Sequence, residues 1–78
     1  MIKMVVSLPA LAQAQKFIAA VTPFDCEVDL IKGRYCVNGK SLLGILCLLE
    51  QEGEIKLEAT PAPADEAAFL EAVKPFRV

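Results

Sequence analysis

Between Phe24 and Leu30 the chain alternates strictly, Phe24, Cys26, Val28 and Leu30 interleaved with Asp25, Glu27 and Asp29. A period of two with one apolar and one acidic side predicts a strand that buries one face and wets the other. Gly33-Arg34 then suits a two-residue hairpin loop with glycine at the first central position. That loop places Leu30 opposite Val37 and Ile31 opposite Cys36, so Cys26, Val28 and Leu30 share their face with Tyr35 and Val37. Earlier, Ile2, Met4, Val5 and Val6 form a short β-branched run that predicts an N-terminal strand up to Ser7. Leu11, Ala14, Ile18 and Val21, with Phe17 beside them, then recur at helical spacing and predict an amphipathic helix from Pro9 to Val21. Pro23 stops it, because a residue before proline is pushed out of the α region. After a polar turn at Gln51-Glu52-Gly53, Ile55, Leu57 and Ala59 alternate with Lys56 and Glu58 in a last strand. Pro61-Ala62-Pro63 ends that strand. Asp65 and Glu66 suit the first turn of a closing helix carrying Phe69, Val73 and Phe76, which Pro75 weakens.

The stretch from Val37 to Leu48 breaks the pattern. A polar loop, Asn38-Gly39-Lys40, ends at Ser41, and a short helix apolar almost all round begins. Leu42, Ile45, Leu46 and Leu49 make one stripe expected to be buried, while Leu43 and Cys47 fall on a second face that a small sheet cannot cover as well. Such a helix is either fully buried or exposes a patch on which a partner docks. Ser41 is an N-cap candidate, its hydroxyl placed to accept an orphan N–H of the first turn. The same place favours a phosphoserine, which carries about −1.5 to −2 charges and would sit beside the helix N-terminus and Lys40.

Seventy-eight residues make one domain, residues 1–78, which buries only about 60–65% of its unfolded surface. That leaves little room for a deep catalytic cavity and places function on the surface. A net charge of −2, with eight dispersed basic residues, argues against nucleic acid as a partner. The apolar run from Leu42 to Leu49 is far short of the roughly 20 residues that span a bilayer, and no signal-peptide pattern opens the chain, so no membrane partner and a cytoplasmic location are expected. The three cysteines, Cys26, Cys36 and Cys47, lack a C-x-x-C spacing, and the chain holds no histidine. Neither a metal site, nor a disulfide framework, nor any cofactor is expected, and each thiol is read as a small buried hydrophobe. The commonest general acid/base is also missing.

The order β-α-β-β-α-β-α, the central hairpin and above all Val37-Asn38-Gly39-Lys40-Ser41-Leu42-Leu43-Gly44-Ile45-Leu46 resemble the HPr family, the small phosphocarrier proteins of the bacterial sugar phosphotransferase system. The resemblance runs from the first strand to the closing helix. It implies an α+β, HPr-like open-faced β-sandwich, with a four-stranded, mostly antiparallel sheet and three helices on one face. In the family a histidine followed by alanine, arginine and proline opens the first helix, where the imidazole accepts the phosphoryl group and the arginine holds it. Counted back from Ser41, those positions are Ala10, Leu11, Ala12 and Gln13. Alanine cannot form a phosphoramidate, and Ala12 supplies no bidentate phosphate contact.

What the resemblance carries over is the serine and the surface behind it. It implies phosphorylation of Ser41 by a dedicated kinase and docking through Leu42, Leu43 and Leu46; Cys47, on the same helix, and Lys40, beside the serine, are expected to join that surface. The expectation is a non-enzymatic regulatory or interaction module, monomeric or weakly dimeric, whose partners are proteins: an HPr kinase, Enzyme I or a transcriptional regulator. Three alternatives stand beside it. One is an atypical phosphocarrier with another acceptor near the first helix, such as Ser7; another is a structural domain whose partner supplies the activity; the last is a redox role for Cys36 and Cys47.

Overall fold

The computed structural model describes all residues, Met1 to Val78. Strand β1 (Ile2–Val6) leads into helix α1 (Leu11–Val21), the hairpin of β2 (Val28–Lys32) and β3 (Tyr35–Asn38), helix α2 (Leu42–Leu49), strand β4 (Ile55–Ala59) and helix α3 (Glu66–Val73). Short 3-10 turns, Pro63–Asp65 and Lys74–Phe76, flank α3. The strands form one sheet in the order β1-β4-β2-β3, and every pairing is antiparallel. This is the expected open-faced α+β architecture.

Hairpin geometry explains the register. Gly33 takes φ +61° while Arg34 stays at negative φ, the requirement of a loop with glycine at its first central position. Leu30 therefore faces Val37, Ile31 faces Cys36 and Lys32 faces Tyr35. On the other side of β2, Leu30 pairs with Leu57 and Val28 with Ala59, while β1 sets Met4 against Leu57 and Val6 against Ile55. One apolar face thus runs across the sheet and meets Phe17, Val21, Ile45, Leu48, Phe69 and Val73 from the helices in a single core. The opposite face is charged. There Glu58 lies between Lys3 and Asp29.

Five details differ from the pattern read in the chain. Strand β2 begins only at Val28, so Phe24 to Glu27, read as its first half, lie in the irregular segment after α1. In α1 the buried residues are Ala14, Phe17 and Val21, and Leu11 is 49% exposed. The helix is turned so that its largest ring, not its first leucine, points inward, which allows Phe17 to meet Phe76 edge-on at 5.4 Å. In α2 only Ile45 and Leu48 are fully buried, and Leu42 joins Leu43 at the surface. A helix of eight residues lying on a four-stranded sheet has one inward side, and the first turn overhangs it.

Tyr35 is 48% exposed although it lies on the core side of β3, because β3 is the edge strand and the helices do not reach its outer end. Finally, Cys36 and Cys47 are exposed and Cys26 is half-buried. Two of the three thiols therefore do not act as core residues: Cys36 points to the open face of the sheet and Cys47 to the outside of α2.

The core face of β2 continues one step beyond its apolar residues, onto Lys32, which is 7% exposed. Its ammonium donates to the Gln51 carbonyl at 2.6 Å, so the stem packs with the core while the charged end ties down the turn after α2. A second clasp joins the ends of the chain. Val6 bridges to Arg77, the Ser7 N–H donates to Phe76 O at 2.7 Å, and the Val78 N–H donates to Val5 O at 3.0 Å. No helix is long and apolar enough to cross a membrane.

Candidate functional site

Two helix starts differ in chemistry. At α2, Ser41 takes an extended conformation, φ −106° and ψ 114°, and its Oγ accepts the Gly44 N–H at 3.2 Å. The backbone holds it there independently, with the Ser41 N–H donating to Asn38 O and the Ile45 N–H to Ser41 O, each at 3.0 Å. Upstream, Asn38 Oδ1 accepts the Lys40 N–H at 2.8 Å, closing a local turn of the kind asparagine favours. Gly39 anchors that turn to the sheet, its N–H donating to Val28 O at 2.7 Å. The approach leaves no room for a side chain, since a Cβ on Gly39 would stand 2.8 Å from Val28 Cγ1. Asn38, Gly39 and Ser41 thus form one device that delivers the serine hydroxyl to the head of α2.

The other start, at α1, is bare. Ala10 occupies the N-cap position with φ −152° and ψ 172°, makes no side-chain bond to the first turn, and leaves that turn without an acidic residue. Ala10 and Ala12 are both exposed methyl groups. Nothing in the stretch from Ser7 to Gln15 carries a titratable side chain. No side chain at Ala10 or Ala12 is able to accept or clamp a phosphoryl group.

Beyond Ser41 the surface of α2 is apolar. Leu43 is 74% exposed, Leu42 and Cys47 are exposed, and Leu46 is half-buried beside them. Leu11, in the first turn of the neighbouring α1, is exposed as well. Of the residues singled out from the chain, Ser41, Leu42, Leu43, Leu46 and Cys47 therefore belong to one short helix and its cap. Lys40 stands apart. Its ammonium donates to the Phe24 carbonyl, which ties the loop before α2 to the segment after α1 and directs the charge there. No three Cys, Asp or Glu side chains converge as a metal site.

A comparison with protein families now bears on this geometry. The model of the PTS-HPr family, described as "PTS HPr component phosphorylation site", matches residues 11–76. The chain belongs to the PTS-HPr family. It is an HPr-like protein of the phosphotransferase system, and its α+β sheet with three helices is the fold expected of that family. No curated protein matches the chain. The match begins at Leu11, one residue after Ala10; the helix start at Ala10 to Gln13 offers no imidazole, and the chain contains none elsewhere.

Lys32 escaped sequence reasoning. Its position two residues after Leu30 was the available signal, because a strand's core face continues at every second residue whatever stands there.

Proposed function

We propose that this HPr-like chain is a non-catalytic regulatory or interaction module, docking a protein partner through Leu42, Leu43, Leu46 and Cys47 and switched by phosphorylation of Ser41. Family membership supports protein partners in general, since HPr proteins work by meeting other components of the phosphotransferase system. The observation that carries the reading is the contrast between the two helix starts: a serine hydroxyl held at the head of α2 and only methyl groups at Ala10 and Ala12. Without a nucleophile at α1, the relay step has no acceptor at its usual place. The apolar face of α2 remains.

A phosphate on Ser41 would meet the positive end of α2, whose first turn contains no acidic side chain to repel it. It would also put a dianion at the edge of Leu42 and Leu43. An apolar docking face would thereby gain a charged rim, and a partner would distinguish the two states by whether it offers a cation or a hydrophobe opposite Ser41.

Incubation with an HPr kinase and ATP, read by intact mass, tests the switch. The expected result is a single phosphate, absent in Ser41→Ala; an unchanged mass, or a gain that persists in Ser41→Ala, refutes it. Capture of proteins from the native cytosol on the wild type and on Leu43→Glu tests the surface. One partner lost with Leu43→Glu, while the variant keeps its melting temperature, is expected; identical captures refute docking through this face.

A further inference from the structure

The two ends of the sheet are finished differently. The last residues of the chain pair with β1, whereas β3 closes the strand order with nothing beside it, and its Tyr35, Cys36 and Asn38 are exposed. We propose that β3 is a dimerisation edge, to which a second copy of this chain adds its own β3 antiparallel, about a two-fold axis at Cys36. The inference needs neither Ser41 nor a foreign protein on the leucines of α2.

Backbone geometry is the first argument. The Gly39 N–H donates to Val28 O, which fixes the phase of the β2–β3 ladder. Val28, Leu30 and Lys32 turn their main-chain groups toward β3, where Val37 and Tyr35 answer Leu30 and Lys32. The N–H and C=O of Cys36 therefore point away from the sheet, as does the Asn38 N–H. Antiparallel addition about Cys36 closes a reciprocal pair of bonds between the two Cys36 residues and sets Asn38 opposite Arg34 of the second copy. Edge strands commonly carry a lysine, a proline or a bulge that repels such an addition. The strand Tyr35-Cys36-Val37-Asn38 is uncharged, pairs in unbroken register and has none of these.

Side chains supply the second. On the helix side, Tyr35 is 48% exposed. The same register puts it directly opposite Val37 of the second copy, an aromatic against a β-branched residue, which is a favourable cross-strand pair. Symmetry makes this contact twice. On the open face, Glu58, Asp29 and Asn38 stand in one row, and Arg34 of the second copy falls at its end, about 10 Å across the sheet from Asp29. Arg34 makes no side-chain hydrogen bond in its own chain, and Asp29 faces the like charge of Glu58. The pairing brings an unengaged guanidinium toward carboxylates, once on each side of the axis. A foreign strand would need a β-branched residue and a cation at that one spacing; a second copy has both. The contact is small, so the association is weak and depends on concentration.

The test combines dilution with thiol cross-linking. Amide spectra of reduced, ¹⁵N-labelled protein from about 20 μM to about 2 mM, a range suited to a small interface, should show shifts that grow with concentration at Arg34 to Asn38. Diamide then joins two Cys36 thiols in a disulfide, its N=N bond taking up the two protons and two electrons. Residues exchanging both bonds of an antiparallel pair stand about 5.5 Å apart at Cα, within the span of a disulfide. Peptide mapping should find the Cys36–Cys36 bridge formed at least about tenfold faster than any bridge of Cys47, because pairing raises the local concentration of one thiol at the other. Cys47 is exposed too, but β3 pairing does not set it opposite itself. Arg34→Glu should slow the Cys36 bridge about tenfold, and Arg34→Glu/Asp29→Lys should restore it, the charges having changed places. Cys36→Pro, which deletes only an outward N–H, should abolish the concentration dependence. Spectral dispersion shows that each variant is folded. Spectra that do not change with concentration, shifts centred on Ile2 to Val6 or on Leu43, or a Cys36 bridge forming no faster than those of Cys47 would overturn the proposal.

Discussion

Replacing Ser41 by alanine removes one hydrogen bond and leaves the rest of the α2 cap in place, so its cost can be worked out closely. The lost bond is Gly44 N–H to Ser41 Oγ at 3.2 Å, the long end of the usual range. The backbone bonds from Ser41 to Asn38 and from Ile45 to Ser41 do not depend on the side chain. Loss of an N-cap serine costs about 0.5–2 kcal/mol, and a long, part-buried bond belongs near the middle, about 1 kcal/mol. For a domain of this size that lowers the melting temperature by roughly 4–8 °C. Ser41→Asp keeps an acceptor at the same place and adds a negative charge to a helix start that has none, so it should recover most of the loss. Urea unfolding followed by far-UV circular dichroism measures both variants, and the slope with denaturant should match the wild type, since the same surface is exposed. If Ser41→Ala unfolds at the wild-type urea concentration, or Ser41→Asp falls with it, Ser41 does not cap α2 and the electrostatic case for its phosphorylation collapses.

Two further substitutions probe the frame around that serine and the sheet beneath it. Gly39→Ala forces a methyl group to within 2.8 Å of Val28 Cγ1 and 3.1 Å of Val28 O, and should cost about 1–3 kcal/mol by overpacking; a variant with unchanged urea midpoint would show that the turn yields freely. Asp29→Lys removes a like-charge pair, because Asp29 stands directly opposite Glu58 on the open face. It should stabilise by about 0.2–1 kcal/mol at low ionic strength, with the gain shrinking in 1 M salt; equal stability at both salt concentrations would contradict the pairing.

Much of this architecture is legible in the chain, because local rules decide it. Gly33-Arg34 dictates the hairpin register, and Ser41 ahead of a leucine run marks the start of α2 without reference to anything distant. Where tertiary packing decides, the chain is silent. Leu11 and Phe17 both fit the apolar side of α1, and only the position of Phe76, some sixty residues on in the same core, selects the ring over the leucine. Lys32 looks like a solvated charge until the core face of β2 is followed to its end and meets the Gln51 carbonyl. The Lys40 ammonium reads as a neighbour of Ser41, yet the Phe24 carbonyl takes it from a different segment. The same limit applies to the cysteines, since whether a thiol is covered depends on where the helices stop. Of the candidate site, the serine and the apolar helix are visible in sequence; the pairing of the last residues with the first strand is not, because nothing local to Arg77 announces its bridge to Val6.

That pairing has a consequence for the outer margin of the sheet. Strand β1 lies at one end of the sheet, with its far side free of any neighbouring full-length strand, and such a margin invites a stranger's backbone. The segment from Phe76 to Val78 occupies part of it, using the carbonyl of Val5 and the N–H of Ser7 that an intruding chain would otherwise claim. Trimming these few residues would therefore do more than shorten a tail. It would uncover a ready template for sheet extension, and the trimmed protein should self-associate along β1 more readily than the intact one.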